Sequence, residues 1–429
     1  NLSNAFSTGS SKGSLKYAIL NNTSSSTNLT VAGLKGQSFD IVKKGIITST
    51  GTINILNKQL SNSTQNKYLI VFYIDGSLIG NDVVGASFNG NISADAHQGK
   101  VPVNAVELIT DLYINAPKTT TALNNITYNL ASSVGLMNDR KGSMSTGIDA
   151  GNIRYYGASP NNYIYFNCSD YSNQTSSTCE TWRIIGVFDG KVKIMRNEII
   201  GRYSWDSSTS DIDSGRGVNE WSQADLMKLL NSGYDSESVG GSLYWNAKSG
   251  TCYNNKNNAT KSCNFTSTGL KNDTTRNMIA ETTYYTRGHN DNSIYVDAMY
   301  DKERVSGTVI TGVTPTRTLT CTGKIAIPYP SDYGYAADLS LCQQQLSSYS
   351  DATCTANNWM KEIVAPNYGW LLTPSSGSAD SAWGVYSSGD VYRYNAYNAF
   401  GVAPVLSMTS DLGIVAGTGT SSDPYQLYV

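Results

Sequence analysis

Alternation of apolar and polar positions dominates the chain, and helical spacing interrupts it in only a few places. In residues 1–100 the alternating runs are Leu15–Leu20, Asn28–Ala32, Phe39–Lys43, Thr52–Leu56, Tyr68–Ile74 and Ala86–Ala94, separated by turn signals such as Asp75-Gly76 and Asn89-Gly90. Short strands at this spacing predict a β-sandwich. Pro102 and Pro117 then bracket VNAVELITDLYINA, where Val106, Ile109, Leu112 and Tyr113 fall on one stripe, predicting a helix packed against a neighbour. Lys118–Thr121 reads as a loop, and the run from Asn124 to Arg140 is expected to pair with or cap the domain that follows.

From Gly151 the pattern changes. ETWRIIGVFDGKVKIMRNEII gives two apolar strands around Asp189-Gly190, a hairpin signal. Asn219–Leu230 predicts a helix with Trp221, Leu226, Leu229 and Leu230 on its apolar side, and Leu270–Tyr285 predicts a second. In KIAIPYPSDYGYAADL an apolar strand is ended by Pro328 and Pro330. Gly417–Thr420 and Ser421-Ser422-Asp423-Pro424 form a turn before a closing strand, Tyr425–Val429.

The stretch Gly369–Leu406 carries the densest pattern. Ala382–Tyr386 and Val391–Asn395 alternate on either side of Ser387-Ser388-Gly389-Asp390, predicting a hairpin. Trp383 and Val385 then face one side, Gly384 and Tyr386 the other; Tyr392 and Tyr394 share a face opposite Val391 and Arg393. Tyr386, Tyr392, Arg393, Tyr394, Asn395, Tyr397, Asn398 and Phe400 are the candidate ligand-binding residues. Tyrosine offers broad contact at low rotamer cost, and asparagine adapts its hydrogen bonds. The competing reading places these rings in a core or an intersubunit contact.

Two resemblances bear on the fold. WLLTP, AW-x-V-x-SSG-x-V and GVAPVL, with KIAIPYPSDYGYAADL, resemble the C-type-lectin-like domains of surface proteins from gut Firmicutes and Mollicutes, from about Gly151 to the C-terminus. That fold also hosts formylglycine-generating enzymes and the variable proteins of diversity-generating retroelements, whose terminal face carries ligand-contacting residues rich in Tyr and Asn. NKYLIVFYIDGSLIGNDVVGASFNGNISADAHQ resembles the last part of TasA/camelysin-type matrix-fibre domains, which are jelly-roll-like and polymerise by donating an N-terminal strand; an immunoglobulin-like spacer is the alternative. The expected architecture is β-rich and multidomain: a β-sandwich over 1–100, a short helical connector over 101–150, and an α+β lectin-like domain over 151–429.

Composition narrows the function. Charged residues are 15% of the 429 and the net charge is -2, so no electrostatic footprint for nucleic acid or a membrane surface is present. The 29 tyrosines argue against disorder. Cys168 with Cys179, Cys252 with Cys263, and Cys342 with Cys354 form three local pairs across polar loops, with Cys321 left over, which points to disulfides and an oxidising compartment; seven reduced thiols are the alternative. Asn-x-Ser/Thr sequons recur, as at Asn62, Asn167 and Asn264, at a frequency this composition produces by chance. No 18-residue apolar run suggests a membrane span, and a first residue Asn1 rather than Met suggests a removed leader.

Catalytic chemistry finds little footing. The two histidines, His97 and His289, sit in no recognisable motif, and no His/Cys cluster has zinc spacing. Asp206, Asp211 and Asp213 could gather oxygen ligands for calcium, although a solvated loop is the preferred reading. Cys321 invites comparison with the reactive cysteines of formylglycine-generating enzymes; a buried bystander is the better reading. The expectation is a non-enzyme without cofactor, exported or on the cell surface. Its first reading is the homopolymeric subunit of an extracellular filament, assembled through a donated strand carrying Leu15, Tyr17 and Ile19. The second is a non-polymeric adhesin binding glycan or protein. Pairing of Ser14–Asn21 in its own sheet favours the second; completion of another copy's sheet favours the first.

Overall fold

The computed structural model describes residues 2–21, 41–47, 68–90, 92, 102–141, 151–207, 216–256 and 258–429. The chain is β-rich and divides into two compact units, Asn1–Pro102 and Val103–Val429.

In the first unit, Leu15–Asn21 is the central strand of three, antiparallel to Ile41–Ile46 on one edge and to Tyr68–Ile74 on the other. Its alternation works as expected. Leu15, Tyr17 and Ile19 are buried against Phe6 and Ile47, with Tyr68 and Ile70 packed beside them. The residues expected to be donated to another copy are therefore the core of this chain's own sheet. The rest of the unit is less regular than the alternation implies. Residues 86–90 form no strand: only Phe88 makes a single bridge, to Leu2, and two 3-10 turns, Gly76–Leu78 and Asn81–Val83, precede it. The reason is local polar competition. Asp75 accepts from Ser77 N, starting a turn, and Asp82 binds Ser10 Oγ (2.7 Å) and Ser11 Oγ (2.5 Å), pinning the segment across the N-terminus. The strands expected at Asn28–Ala32 and Thr52–Leu56 lie outside the described residues.

The second unit is built around a large antiparallel sheet of nine strands among the described residues. Along it run Ile325–Ala326, Val405–Ser407, Lys191–Arg196, Glu180–Phe188, Ile153–Tyr155, Leu136–Asn138, Ile126–Ala131 and Thr119–Leu123, with Tyr163–Phe166 also on Glu180–Phe188. The expected hairpin is its centre: Asp189 (φ 47°) and Gly190 (φ 72°) make the tight turn. A bulge between Ile184 and Gly186 brings the backbone so close to the next strand that a Cβ on Gly186 would lie 2.1 Å from Ile153 O, so only glycine fits.

Residues 103–141 belong to this same unit rather than forming a separate connector. Helix Ala105–Asn115 is capped by Asn104, whose Oδ1 accepts from Val106 N and Glu107 N, and it buries Ala105, Ile109 and Tyr113. The loop expected over Lys118–Thr121 is instead mostly strand: Thr119–Leu123 pairs in register with Ile126–Ala131. Val103–Asn104 joins Gly413–Ala416, which also pairs with Gln426–Tyr428.

Two expected helices are corrected. Over Asn219–Leu230 the chain makes a 3-10 turn, Trp221–Gln223, then a helix, Asp225–Leu230. The break at Ala224 lets the distant Asp206 carboxylate accept from Asp225 N. Leu270–Tyr285 yields only helix Asp273–Asn277, capped by Asn272, before Thr282–Tyr285 turns into a strand paired with Thr320–Gly323.

The interior holds an unusual amount of charge. Arg154 is 1% exposed; its Nε donates to Asp139 (2.5 Å) and its Nη1 to Asp332 (2.9 Å), and its guanidinium lies over Phe188 and Tyr335. Lys193 also donates to Asp332. Beside them Glu303 pairs with Arg304 and accepts from Ser331. Burial alone would push the Asp332 carboxyl up, but Lys193, Arg154 and Arg304 outweigh it and hold it well below the usual carboxylate range.

Candidate functional site: a tyrosine ledge on an edge hairpin

Strands Ser381–Val385 and Val391–Asn395 form the expected hairpin, and Val391–Asn395 is the edge of a five-stranded sheet that continues through Gly369–Pro374, Phe400–Gly401 and Arg202–Tyr203. The alternation divides its side chains cleanly. Trp383, Val385 and Val391 are fully buried, whereas Tyr386 (40% exposed) and Tyr392 (45%) reach solvent.

Between these extremes sits a seat shaped by the absence of a side chain. A Cβ on Gly384 would lie 2.8 Å from Gly369 O and 3.2 Å from Tyr394 Cδ2, so glycine here lets the neighbouring strand and the Tyr394 ring close in. Phe400, 8% exposed, is the floor; Tyr394 packs edge-on against it at 4.9 Å between centroids. Tyr368, which precedes the tryptophan–leucine strand, stacks on Phe400 (5.0 Å) and meets Tyr386 (4.6 Å) and Tyr394 (5.9 Å). Tyr392 completes the ledge, 6.1 Å from Tyr394. Burial, with Tyr386 and Tyr368 nearby, drives the Tyr394 phenol far above its ordinary range, and its shielded hydroxyl has no hydrogen-bond partner among the described residues. The Tyr368 phenol is also raised, first by its hydrogen bond with Tyr386.

Of the eight expected ligand contacts, the structure brings Tyr386, Tyr392, Tyr394 and Phe400 together. Asn395 ends the strand, paired with Ser381, and Tyr397 and Asn398 occupy the turn beyond it, where Tyr397 N donates to Arg216 O and Tyr397 O accepts from Ser204 Oγ. Arg393 points to the opposite face: it donates to Asn290, and its guanidinium lies 5.9 Å from the Trp383 ring. Sequence reasoning misses Tyr368 because it lies outside the hairpin; its only sequence signal is its position before Gly369-Trp370.

Other candidates resolve differently. The disulfides Cys168–Cys179, Cys252–Cys263 and Cys342–Cys354 are present, and Cys321 is a free, partly buried thiol that burial pushes up to about 11. His289, read as a polar loop residue, is half-buried with its ring parallel to Trp383, and burial lowers its proton affinity. His97, Asp211 and Asp213 lie outside the described residues. Asp206 is buried and accepts from Val218 N (2.7 Å) and Asp225 N (3.1 Å), a backbone-clamping role. Among the described residues no group of three or more His, Cys, Asp or Glu is placed to hold a metal, and no helix is long and apolar enough to cross a membrane. Comparisons with family models, curated proteins and solved structures return no match.

Proposed function

We propose that this chain is an extracellular recognition protein whose second unit engages a glycan or protein through the ledge of Tyr368, Tyr386, Tyr392 and Tyr394. The observation that carries this reading is that two exposed rings stand on a braced aromatic base, so binding orders little that is not already ordered. Three disulfides suit an oxidising exterior. A lectin-like fold for residues 151–429, the resemblance carried by WLLTP and GVAPVL, is part of the proposal. The test is Tyr386→Ala combined with Tyr392→Ala, read on an array of neutral and acidic oligosaccharides and by capture of surface glycoproteins. Both residues are exposed, so tryptophan emission and melting stay as in the native chain while binding falls at least tenfold. Undiminished binding refutes the ledge.

A second reading, self-association of the first unit into a filament, draws on the apolar side chains exposed there, among them Ile46, Phe72, Ile74 and Val84. Strand donation would first have to withdraw Leu15–Asn21 from between its two neighbours. Electron microscopy of the native protein separates the readings: regular fibres favour assembly, and isolated particles favour recognition alone.

A further inference from the structure

The face of the edge strand opposite the ledge has its own chemistry. Arg393 is paired across the hairpin with Trp383. The His289 ring lies parallel to that indole at 6.5 Å, and the Arg393 guanidinium lies 5.9 Å from it, so one fully buried ring backs both the imidazole and the guanidinium. Lys302 and Asp291 are the other charged groups that act on His289. Neither Arg393 nor Lys302 has a carboxylate partner among the described residues, unlike the buried Arg154, Lys193 and Arg304. Arg393 donates through Nη1 to the Asn290 amide oxygen, which also accepts from Ser375 Oγ, while its Nε is shielded from solvent and donates to nothing among the described residues. A shielded donor without an acceptor costs free energy that an incoming anion would recover.

We propose that this cleft binds the carboxylate of an acidic saccharide, with Arg393 and Lys302 as its cations and Asn290 beside a hydroxyl. The Tyr392 ring, 5.7 Å from the Arg393 guanidinium, sits at the strand edge where the sugar's apolar face would rest. A carboxylate on a rigid ring matches this pairing of a fixed guanidinium with a flat aromatic surface; an acidic peptide side chain would use the charge and leave the ring idle. The inference rests on the recognition reading only through Tyr392, which both faces share.

The experiment is calorimetric titration of the full chain with a hexuronic-acid oligosaccharide and with its carboxyl-reduced, neutral counterpart. The acidic form binds at least tenfold more tightly, and that preference shrinks with added salt. Arg393→Gln and Lys302→Gln each abolish the preference while leaving neutral-sugar binding intact; Tyr392→Ala lowers binding of both sugars. Should Arg393→Gln fail to fold, Lys302→Gln and Arg393→Lys carry the test. Equal affinity for the two sugars, or a preference that survives Lys302→Gln, overturns the cleft and leaves the ledge standing. Competition by inorganic phosphate or acetate as effective as the sugar reduces it to a bare anion site. Tighter, Arg393-dependent binding of an acidic peptide overturns the saccharide assignment.

Discussion

Replacing Arg154 by methionine removes one cation from the interior of the large sheet and keeps most of the side-chain length. Three consequences add. Asp139 loses its only ion-pair partner among the described residues, although Lys141 N, Asn152 N and Asn152 Nδ2 still donate to it. Asp332 keeps Lys193 and Tyr329 N but loses the bond to Nη1. The contacts of the guanidinium with Phe188 and Tyr335 are lost as well. Breaking one partner of a buried ion pair costs about 3–5 kcal/mol, because the remaining charge stays buried without compensation. For the unit Val103–Val429, with an unfolding entropy near 2.1 cal/mol/K per residue, that corresponds to a fall in melting temperature of about 4–7 °C. The assay is unusually clean. All seven tryptophans lie between Trp182 and Trp383, so intrinsic emission during urea unfolding reports the second unit alone. Arg154→Met with Asp139→Asn removes both charges, and the pair should cost less than the two single changes together by about 1–3 kcal/mol. A loss below about 1 kcal/mol for Arg154→Met, or strictly additive costs, refutes the view that this cluster is held by mutual charge compensation.

Two further outcomes follow from features of the same chain. Burial pushes the Asp206 and Asp225 carboxyls above their unfolded value of 3.8, so the folded chain holds extra protons and loses stability as pH rises from about 4 through their folded values. Asp206→Asn should flatten that slope, and its stability relative to the native chain should rise as pH increases from about 4; an unchanged difference counts against buried carboxyls that hold extra protons in the folded chain. Deleting residues 1–21 removes the central strand and the Phe6, Leu15, Tyr17 and Ile19 core, so the first unit should lose its β signal while the tryptophan unfolding midpoint stays put. Retention of a folded first unit would show that the strand is dispensable.

What is legible in the sequence is mostly local. The hairpins at Glu180–Arg196 and Ser381–Asn395 announce themselves through alternation around short turns, and the three disulfides close loops of 11 or 12 residues. The helix before Pro117 carries both its apolar stripe and its Asn104 cap nearby. Errors arise where a distant partner intervenes. Ala224 breaks a helical pattern because Asp206 takes the next amide, and Thr282–Tyr285 leaves a helical run for a strand about forty residues on. The aromatic ledge is half visible: alternation places Tyr386, Tyr392 and Tyr394 and sets Arg393 on the other face, whereas Tyr368 arrives from beside a neighbouring strand. The buried charges at Asp139, Arg154, Lys193 and Asp332 come from well-separated stretches, so no window of sequence contains their pairing.

The small three-stranded sheet that joins the ends of the second unit has a mechanical meaning. Val103–Asn104 and Gln426–Tyr428 both run antiparallel to Gly413–Ala416, one on each side, and so run parallel to each other. Tension entering through Val103 and leaving through Val429 would pull those two outer strands in opposite directions along their own axes. The hydrogen bonds on both sides of Gly413–Ala416 then share the load in shear instead of parting one after another, and a clasp of a few residues shields the aromatic ledge and the charged interior behind it from the pull.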